Sequence, residues 1–464
     1  VTRIIKDVYT EYFSGLAGMS QLPSAIELVA GSAGGGDKLT RYILSDKRSA
    51  IDLLKSGPLL QAVLERLDAG SSVIYALRLA GSALATASMT IPGATGTAFT
   101  LTGYYPGAWW NDVEVGVTAN GADRTVEILD PATDTVTSFT GTTNAALVDA
   151  INAGQSVVKA TLGAGTLVAA KVTANMTGGN DGLTLANGDV TAGITASEDY
   201  TDVNWVHFVG ADTLTLWAAI LASCRTMVTG NLGERFALLD VPRMVVASPL
   251  APTAAEVSTY LTTIQTLIAS VADTNAVICT GEARFTGHDG TVYWNRITSA
   301  VSGQLAALKV QESLLAKQPA GISALCPEWN VGQQTVLVTE NLIHLRQEPG
   351  LGLIIGLSNV RCPAGSAYNR VEKLRAVYAF GKATRLASLP HLGKPNDSEG
   401  EGLKLLEADI RQVANLMVQK GEIDGYELQL ISTAEMRAAG EVQVVASVNS
   451  MKAFEIILEK VYLS

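Results

Sequence analysis

Residues 454–463 limit what the chain can become, because they cannot be left in water. Phe454, Ile456, Ile457, Leu458, Val461, Tyr462 and Leu463 fall on both faces of an extended strand and are rich in strand formers. Chain ends are ordinarily polar and mobile, so a closing run this apolar needs cover on both sides. Two arrangements supply it. The run is a central strand of the chain's own sheet, or it is donated to a neighbouring molecule, where backbone hydrogen bonds provide the affinity. Just upstream, 441–449 puts Val442, Val444, Ala446 and Val448 on one face and Glu441, Gln443, Ser447 and Asn449 on the other. Only Val445 breaks that alternation, the pattern of a half-buried strand. The N-terminus shares this character. Ile4, Ile5 and Val8 are mixed with Arg3, Lys6 and Asp7, and three aromatics follow in 9–13. An extended arm over 1–20 is expected.

With 464 residues, 47% hydrophobic and 17% charged, the chain has material for two to four domains rather than for disorder. A net charge of −11 argues against a nucleic-acid partner, since neutralising phosphates needs a basic surface. No apolar run approaches the ~20 residues that cross a bilayer, and the first residues contain no apolar signal core. The expectation is a soluble protein made in the cytoplasm, without membrane insertion. Cys224, Cys279, Cys326 and Cys362 lie far apart, which suits buried thiols rather than disulfides or zinc.

Along the chain, 25–30 reads as a strand and 31–38 as a flexible turn. The glycines of that turn invite a phosphate loop, but Lys38 does not directly follow Gly36 and Leu39 stands where Ser or Thr is needed. From Ser49 a helical pattern carries Ile51, Leu54, Leu59, Val63 and Leu67 on one face, and 73–79 is a strand. Between 83 and 201 charge falls and Thr, Gly, Ala, Asn and Asp dominate. Short alternating runs at 113–117 and 125–129 give a mainly-β domain inserted into an α/β frame, with one helix at 144–152 capped by Thr142, Thr143 or Asn144. The α/β rhythm then resumes. Helices are expected at 214–227, 254–272, 301–315 and 368–380, and strands at 236–240, 243–247, 276–279, 334–339 and 353–357. In 401–419, Leu403, Leu406, Ile410, Val413 and Met417 form one amphipathic stripe, with Lys404, Glu407, Arg411 and Asn415 facing elsewhere.

Catalytic patterns are missing. His207, His288, His344 and His391 are scattered with no metal-ligand spacing, and the sequence has no nucleophile elbow, zinc-binding helix or dinucleotide fingerprint. His288-Asp-Gly reads as a hairpin turn, and 178–182 as a turn without the acidic spacing of a calcium loop. No catalytic, cofactor or metal residue is assigned, and no cofactor is expected. So large a chain without visible chemistry suggests a structural role rather than an enzyme.

Several stretches, in this order and spacing, resemble the contractile tail sheath proteins of myophages and related injection machines. Ser56-Gly-Pro-Leu-Leu-Gln-Ala-Val and the segment 68–78, ending Tyr-Ala-Leu-Arg, are similar to the family's Gly-x-Leu helix and tyrosine–arginine strand. Segment 105–115 is similar to the motif that opens the inserted domain, with Trp110-Asn111 where Gly-Asn is usual. Segments 147–152, 421–426 and 440–464 also match, while the Pro-Gly-Val-Tyr opening is absent. The resemblance implies a multidomain α/β (α+β) fold. Its sheath core would comprise 21–82 and 202–400, with an inserted mainly-β outer domain at 83–201, an extended N-terminal strand arm at 1–20, and a C-terminal helix and extended strand-exchange arm at 401–464. It implies a subunit assembled in the host cytoplasm into the tail of a virion or an injection particle. Hexameric rings would stack around an inner tube and contract to drive it through an envelope, with the tube protein, baseplate and tail terminator as partners. It also implies strand exchange between subunits, through Ile4, Ile5, Val8, Phe454, Ile456, Leu458, Val461 and Leu463. Lys404 and Arg411 become candidates to face the tube. The competing expectations are an α/β enzyme whose site forms only in three dimensions and an adhesion or glycan-binding protein that uses 83–201.

Overall fold

The segments 27–32 and 74–79 have every residue buried, which requires cover on both faces and places them centrally in a parallel sheet. The computed structural model describes residues 25–154, 157–166, 168–230, 233–393 and 401–450. It opens with β1 (Glu27–Ser32), β2 (Arg41–Leu44), α1 (Lys47–Leu54), α2 (Pro58–Ala69) and β3 (Ile74–Leu79). The single helical pattern expected from Ser49 is thus two helices. Gly57, at φ 97°, and Pro58 at the first helical position of α2 impose the break.

The low-charge segment follows as β4 (Ser88–Pro92), β5 (Thr97–Gly103), β6 (Glu114–Asn120), β7 (Asp123–Asp130), β8 (Thr135–Gly141), α3 (Asn144–Gly154), β9 (Val158–Leu162) and β10 (Lys171–Asn175). Thr143 caps α3, its Oγ1 accepting from the Ala146 N–H at 3.1 Å. Two antiparallel sheets form, in the orders β4-β5-β9 and β10-β6-β7-β8. They enclose a core of their own in which Phe99, Leu101, Trp110, Val115, Val126, Ile128, Leu147 and Ile151 are buried.

The remainder runs α4 (Asn187–Ser197), β11 (Trp205–Phe208), α5 (Leu214–Thr229), β12 (Phe236–Asp240), α6 (Ala254–Ile268), β13 (Ala276–Thr280), β14 (Glu282–Thr286), β15 (Val292–Arg296), α7 (Thr298–Ala307), β16 (Ile322–Cys326), α8 (Val331–Thr339), β17 (Ile343–Glu348), β18 (Gly352–Ile355), α9 (Val371–Ser388), α10 (Glu401–Gln419), β19 (Gly425–Ile431), α11 (Ala434–Ala439) and β20 (Gln443–Asn449). The eight-stranded main sheet has the order β18-β17-β13-β12-β11-β1-β3-β2, parallel inside with antiparallel edges. Helices α4, α5 and α6 cover one face. On the other face α2 and α7 lie so close that a Cβ at Gly303 would stand 2.5 Å from the Arg66 carbonyl oxygen. The fold is therefore mixed α/β with an inserted β domain, as expected.

Three local expectations fail. Residues 334–339 were expected as a strand and lie in α8, where an Asn330–Gln333 capping box overrides the β-branched residues (Gln333 N–H to Asn330 Oδ1, 2.9 Å). Residues 243–247 form no strand. The Met244 N–H donates instead to Glu282 Oε1 at 2.8 Å, a side chain standing in for a ladder partner. Helix α7 spans Thr298–Ala307 and not 301–315.

Helix α4 lies within the stretch that the sequence reading assigned to the insertion, yet Val190 and Ile194 pack into the main-sheet core. The two connections to the inserted core meet at one point, where the Gly81 N–H donates to the Gly182 carbonyl at 2.8 Å. Buried Arg78 pins that root by donating to the carbonyls of Gly36, Pro106 and Asp181. Excising 82–182 with a short linker is expected to leave a soluble body with one cooperative thermal transition. Extending the deletion to Asp202 removes α4, uncovers Leu79 and the adjoining sheet, and is expected to abolish that transition. Differential scanning calorimetry of the two deletions checks both.

Candidate functional site

The stripe in α10 folds as its spacing dictates. Leu406, Ile410, Ala414 and Met417 are buried, with Leu403 and Val413 half-buried beside them. They pack on α9, where Ala376, Phe380 and Ala387 face them. His391, just after α9, closes the same contact with Nε2 2.7 Å from Asp409 Oδ2. Lys404 and Arg411 lie outside the stripe and are exposed, seven residues apart on one side of the helix. Arg411 is tethered. Its Nε donates to Glu407 at 2.7 Å and its Nη2 reaches the Leu428 carbonyl at 3.3 Å. The bond to Glu407 raises the Arg411 pKa above its ordinary value.

Strands β19 and β20 pair antiparallel from Gly425↔Asn449 to Ile431↔Gln443 as a sheet of two strands. Tyr426 docks the sheet on α10, its hydroxyl donating to Asn415 Oδ1 at 2.9 Å, while Leu428, Leu430 and Val442 pack toward Ile410. Val444 and Ala446 lie across from Leu430 and Leu428, on the same face, and remain exposed. The helix therefore covers β19 and leaves part of β20 bare. Both strands also have an unpaired outer edge among the described residues. Of the residues that sequence proposed for strand exchange, Ile4, Ile5, Val8, Phe454, Ile456, Leu458, Val461 and Leu463 lie outside the described residues.

One constellation that sequence reasoning missed lies under the main sheet. His207 Nδ1 is 2.6 Å from Arg66 Nη2, and His207 Nε2 is 3.0 Å from Asp240 Oδ2. Arg66 also donates to Glu27 Oε2 at 3.0 Å, to Ser299 Oγ at 2.8 Å and to the Ala62 carbonyl. Glu27 further accepts from Trp205 Nε1 and from the Ser71 and Ser302 hydroxyls. A His beside an Asp suggests catalysis, but the geometry opposes it. Arginine cannot give up its proton here, so Nδ1 must be the acceptor and Nε2 carries hydrogen toward Asp240. Neither nitrogen is left to take a proton from a substrate, and all four side chains are buried. Burial holds the His207 pKa below its ordinary value, against the opposing pull of Asp240. The network is a packing device that ties β1, α2, α7, β11 and β12 together.

Other motifs resolve similarly. His288-Asp-Gly closes the β14–β15 hairpin, with the Gly287 N–H donating to the Thr291 carbonyl at 2.7 Å. Loop 31–38 seats Arg78, and in 178–182 the Asp181 carboxylate accepts from the Ala108 N–H at the insertion's root. Among the described residues no group of three or more His, Cys, Asp or Glu could hold a metal ion, and no helix is long and apolar enough to cross a membrane.

Neither a protein-family model nor a curated protein sequence matches the chain. Solved structures do. A sheath tail protein from Desulfitobacterium hafniense superposes with a TM-score of 0.67 at 13% identity, covering 96% of this chain and all of that one. A sheath tail protein from Listeria innocua gives 0.66 at 12% identity, over 92% of this chain and 95% of that one. The helical sheath of the anti-feeding prophage in its contracted state gives 0.55 at 12% identity, over 100% of this chain and 99% of that one. At these identities the likeness is one of fold, and it extends over almost the whole length of both partners. This chain is folded as a contractile tail sheath protein.

Proposed function

We propose that the chain is a structural subunit of a contractile sheath, in a phage tail or a related injection particle. Its bodies stack as hexameric rings around an inner tube and rotate on contraction to drive that tube through an envelope. The observation that carries this reading is the end-to-end likeness to sheath structures, one of them contracted. The open-edged β19–β20 sheet supports it, because a two-stranded sheet with exposed apolar residues gains from added strands. Strands donated by the arms at 1–20 and 451–464 of neighbouring subunits would complete it. Backbone pairing of that kind survives rigid-body rotation, whereas side-chain interfaces must be exchanged. Energy is then stored in two packings of the same bodies, with no nucleotide or cofactor involved. The partners are further copies of the chain, the tube protein, the baseplate and the tail terminator. The particle assembles in the host cytoplasm. Sedimentation velocity across a concentration series tests the reading. Growth into very large species supports it, and one small oligomer at all concentrations opposes it.

Lys404 and Arg411 are proposed to meet the tube. The double reversal Lys404→Glu, Arg411→Glu is expected to weaken co-sedimentation with the tube protein at low salt while leaving the circular dichroism spectrum unchanged. Wild-type loading is expected to fall as salt rises. Equal loading by both proteins at every salt concentration excludes this pair.

A further inference from the structure

Strand β15 is an edge strand of the three-stranded sheet β15-β14-β16, and its residues are partly exposed. It is clasped to the body by Glu65 of α2. Glu65 Oε1 accepts from Asn295 Nδ2 at 2.7 Å and from the Tyr293 hydroxyl at 3.1 Å. The carboxyl is buried, 3% exposed, and Oε2 has no hydrogen-bond partner. The neighbouring charges do not neutralise it. Arg66 directs its guanidinium to Glu27, Ser299, His207 and the Ala62 carbonyl. Asp68 pairs with Lys47, and Asp289 at the hairpin tip is an anion as well. Ser299 of α7 is the remaining polar group beside it.

We propose that Glu65 is a proton-controlled latch, holding β15 against α2 when it carries a proton and loosening that hold when it ionises. A carboxylate with two donors, one bare oxygen and no paired cation is far costlier to bury than the neutral acid. In agreement, burial pushes the Glu65 pKa up to about 7, against the lowering effect of its bonds to Asn295 and Tyr293, of the nearby Arg66 charge and of the Ser299 hydroxyl. The sign follows from linkage. The docked strand favours the protonated form, so docking is fully present below the solvated pKa of ~4.3 and is lost as pH rises toward the docked value, with no further loss beyond it. The hold is therefore sensitive to pH on the acid side of neutrality, between ~5 and ~7, and insensitive above that.

Amide hydrogen exchange on the full-length protein, corrected for the intrinsic rate at each pH, reads this directly. Protection of β15 amides is expected to fall about tenfold per pH unit between ~5 and ~7 and then level off. In Glu65→Gln the profile is expected to be flat over that range. In Tyr293→Phe, which keeps the carboxyl but removes one donor, the levelling point is expected to move to higher pH. A wild-type profile without that fall, a Glu65→Gln slope equal to wild type, or an unmoved Tyr293→Phe profile overturns the latch.

Discussion

A chain ending at Ala453 is expected to fold like the full-length protein, stay monomeric and form no tubes. All members of the six hydrophobic clusters found among the described residues lie between Ala25 and Val448. The main sheet, the inserted core and the α9–α10 contact each have a buried core built from those residues. Donating the run 454–463 to a neighbour would make its removal an assembly defect. Were it a strand of the chain's own core, the loss would be of another kind. Burying a large apolar side chain is worth about 1.5–3 kcal/mol, so losing several would rival the ~5–15 kcal/mol net stability of a typical protein. Circular dichroism and thermal melting of the truncated chain separate the two cases. A synthetic peptide spanning 452–464 is expected to bind the truncated chain and slow amide exchange along β19 or β20. Tube formation by the truncated chain eliminates donation by this segment, and unfolding assigns the segment to its own core.

The second large effect is expected at Arg66. Its guanidinium is fully buried and serves Glu27, His207, Ser299 and the Ala62 carbonyl together. Arg66→Ala strands the Glu27 carboxylate without its cation and takes a hydrogen-bond partner from Ser299 and from His207 Nδ1. Breaking a buried ion pair from one side costs about 3–5 kcal/mol, enough to lower the melting midpoint by many degrees. Arg66→Met combined with Glu27→Gln removes both charges and keeps most of the volume, so it is expected to recover much of the loss. Denaturant melts of the singles and the double give the coupling. Additive losses would mean that the two charges act independently and that the network is not a unit.

The legible parts of the sequence were those whose signal is local. The spacing of Leu406, Ile410 and Met417 gave α10 with its bounds, and the alternation around Val444 gave β20. Helix α8 was misread because Val336 and Val338 favour strands, and the decisive signal was the cap at Asn330. Helix α4 was missed because Thr, Gly and Ala dominate it, leaving only Val190 and Ile194 as buried apolar anchors. The Arg66 network could not be read at all. Each member is an ordinary residue for its element, and the partners of Arg66 come from four separate parts of the chain. Glu65 is hidden for the same reason. It lies off the apolar stripe of α2, as a solvated glutamate would, and is buried where Tyr293 and Asn295 of β15 arrive from 228 and 230 residues away. The candidate assembly surface was half legible. Pattern located the helix and strands, while the uncovered part of β20 required three dimensions.

The claim that this is a self-assembling sheath subunit is tested most directly by electron microscopy of the concentrated full-length protein. Stacked rings or tubes with sixfold symmetry around a central lumen are the expected result. A field of small particles of one defined size, at every concentration and with tube protein added, would contradict it.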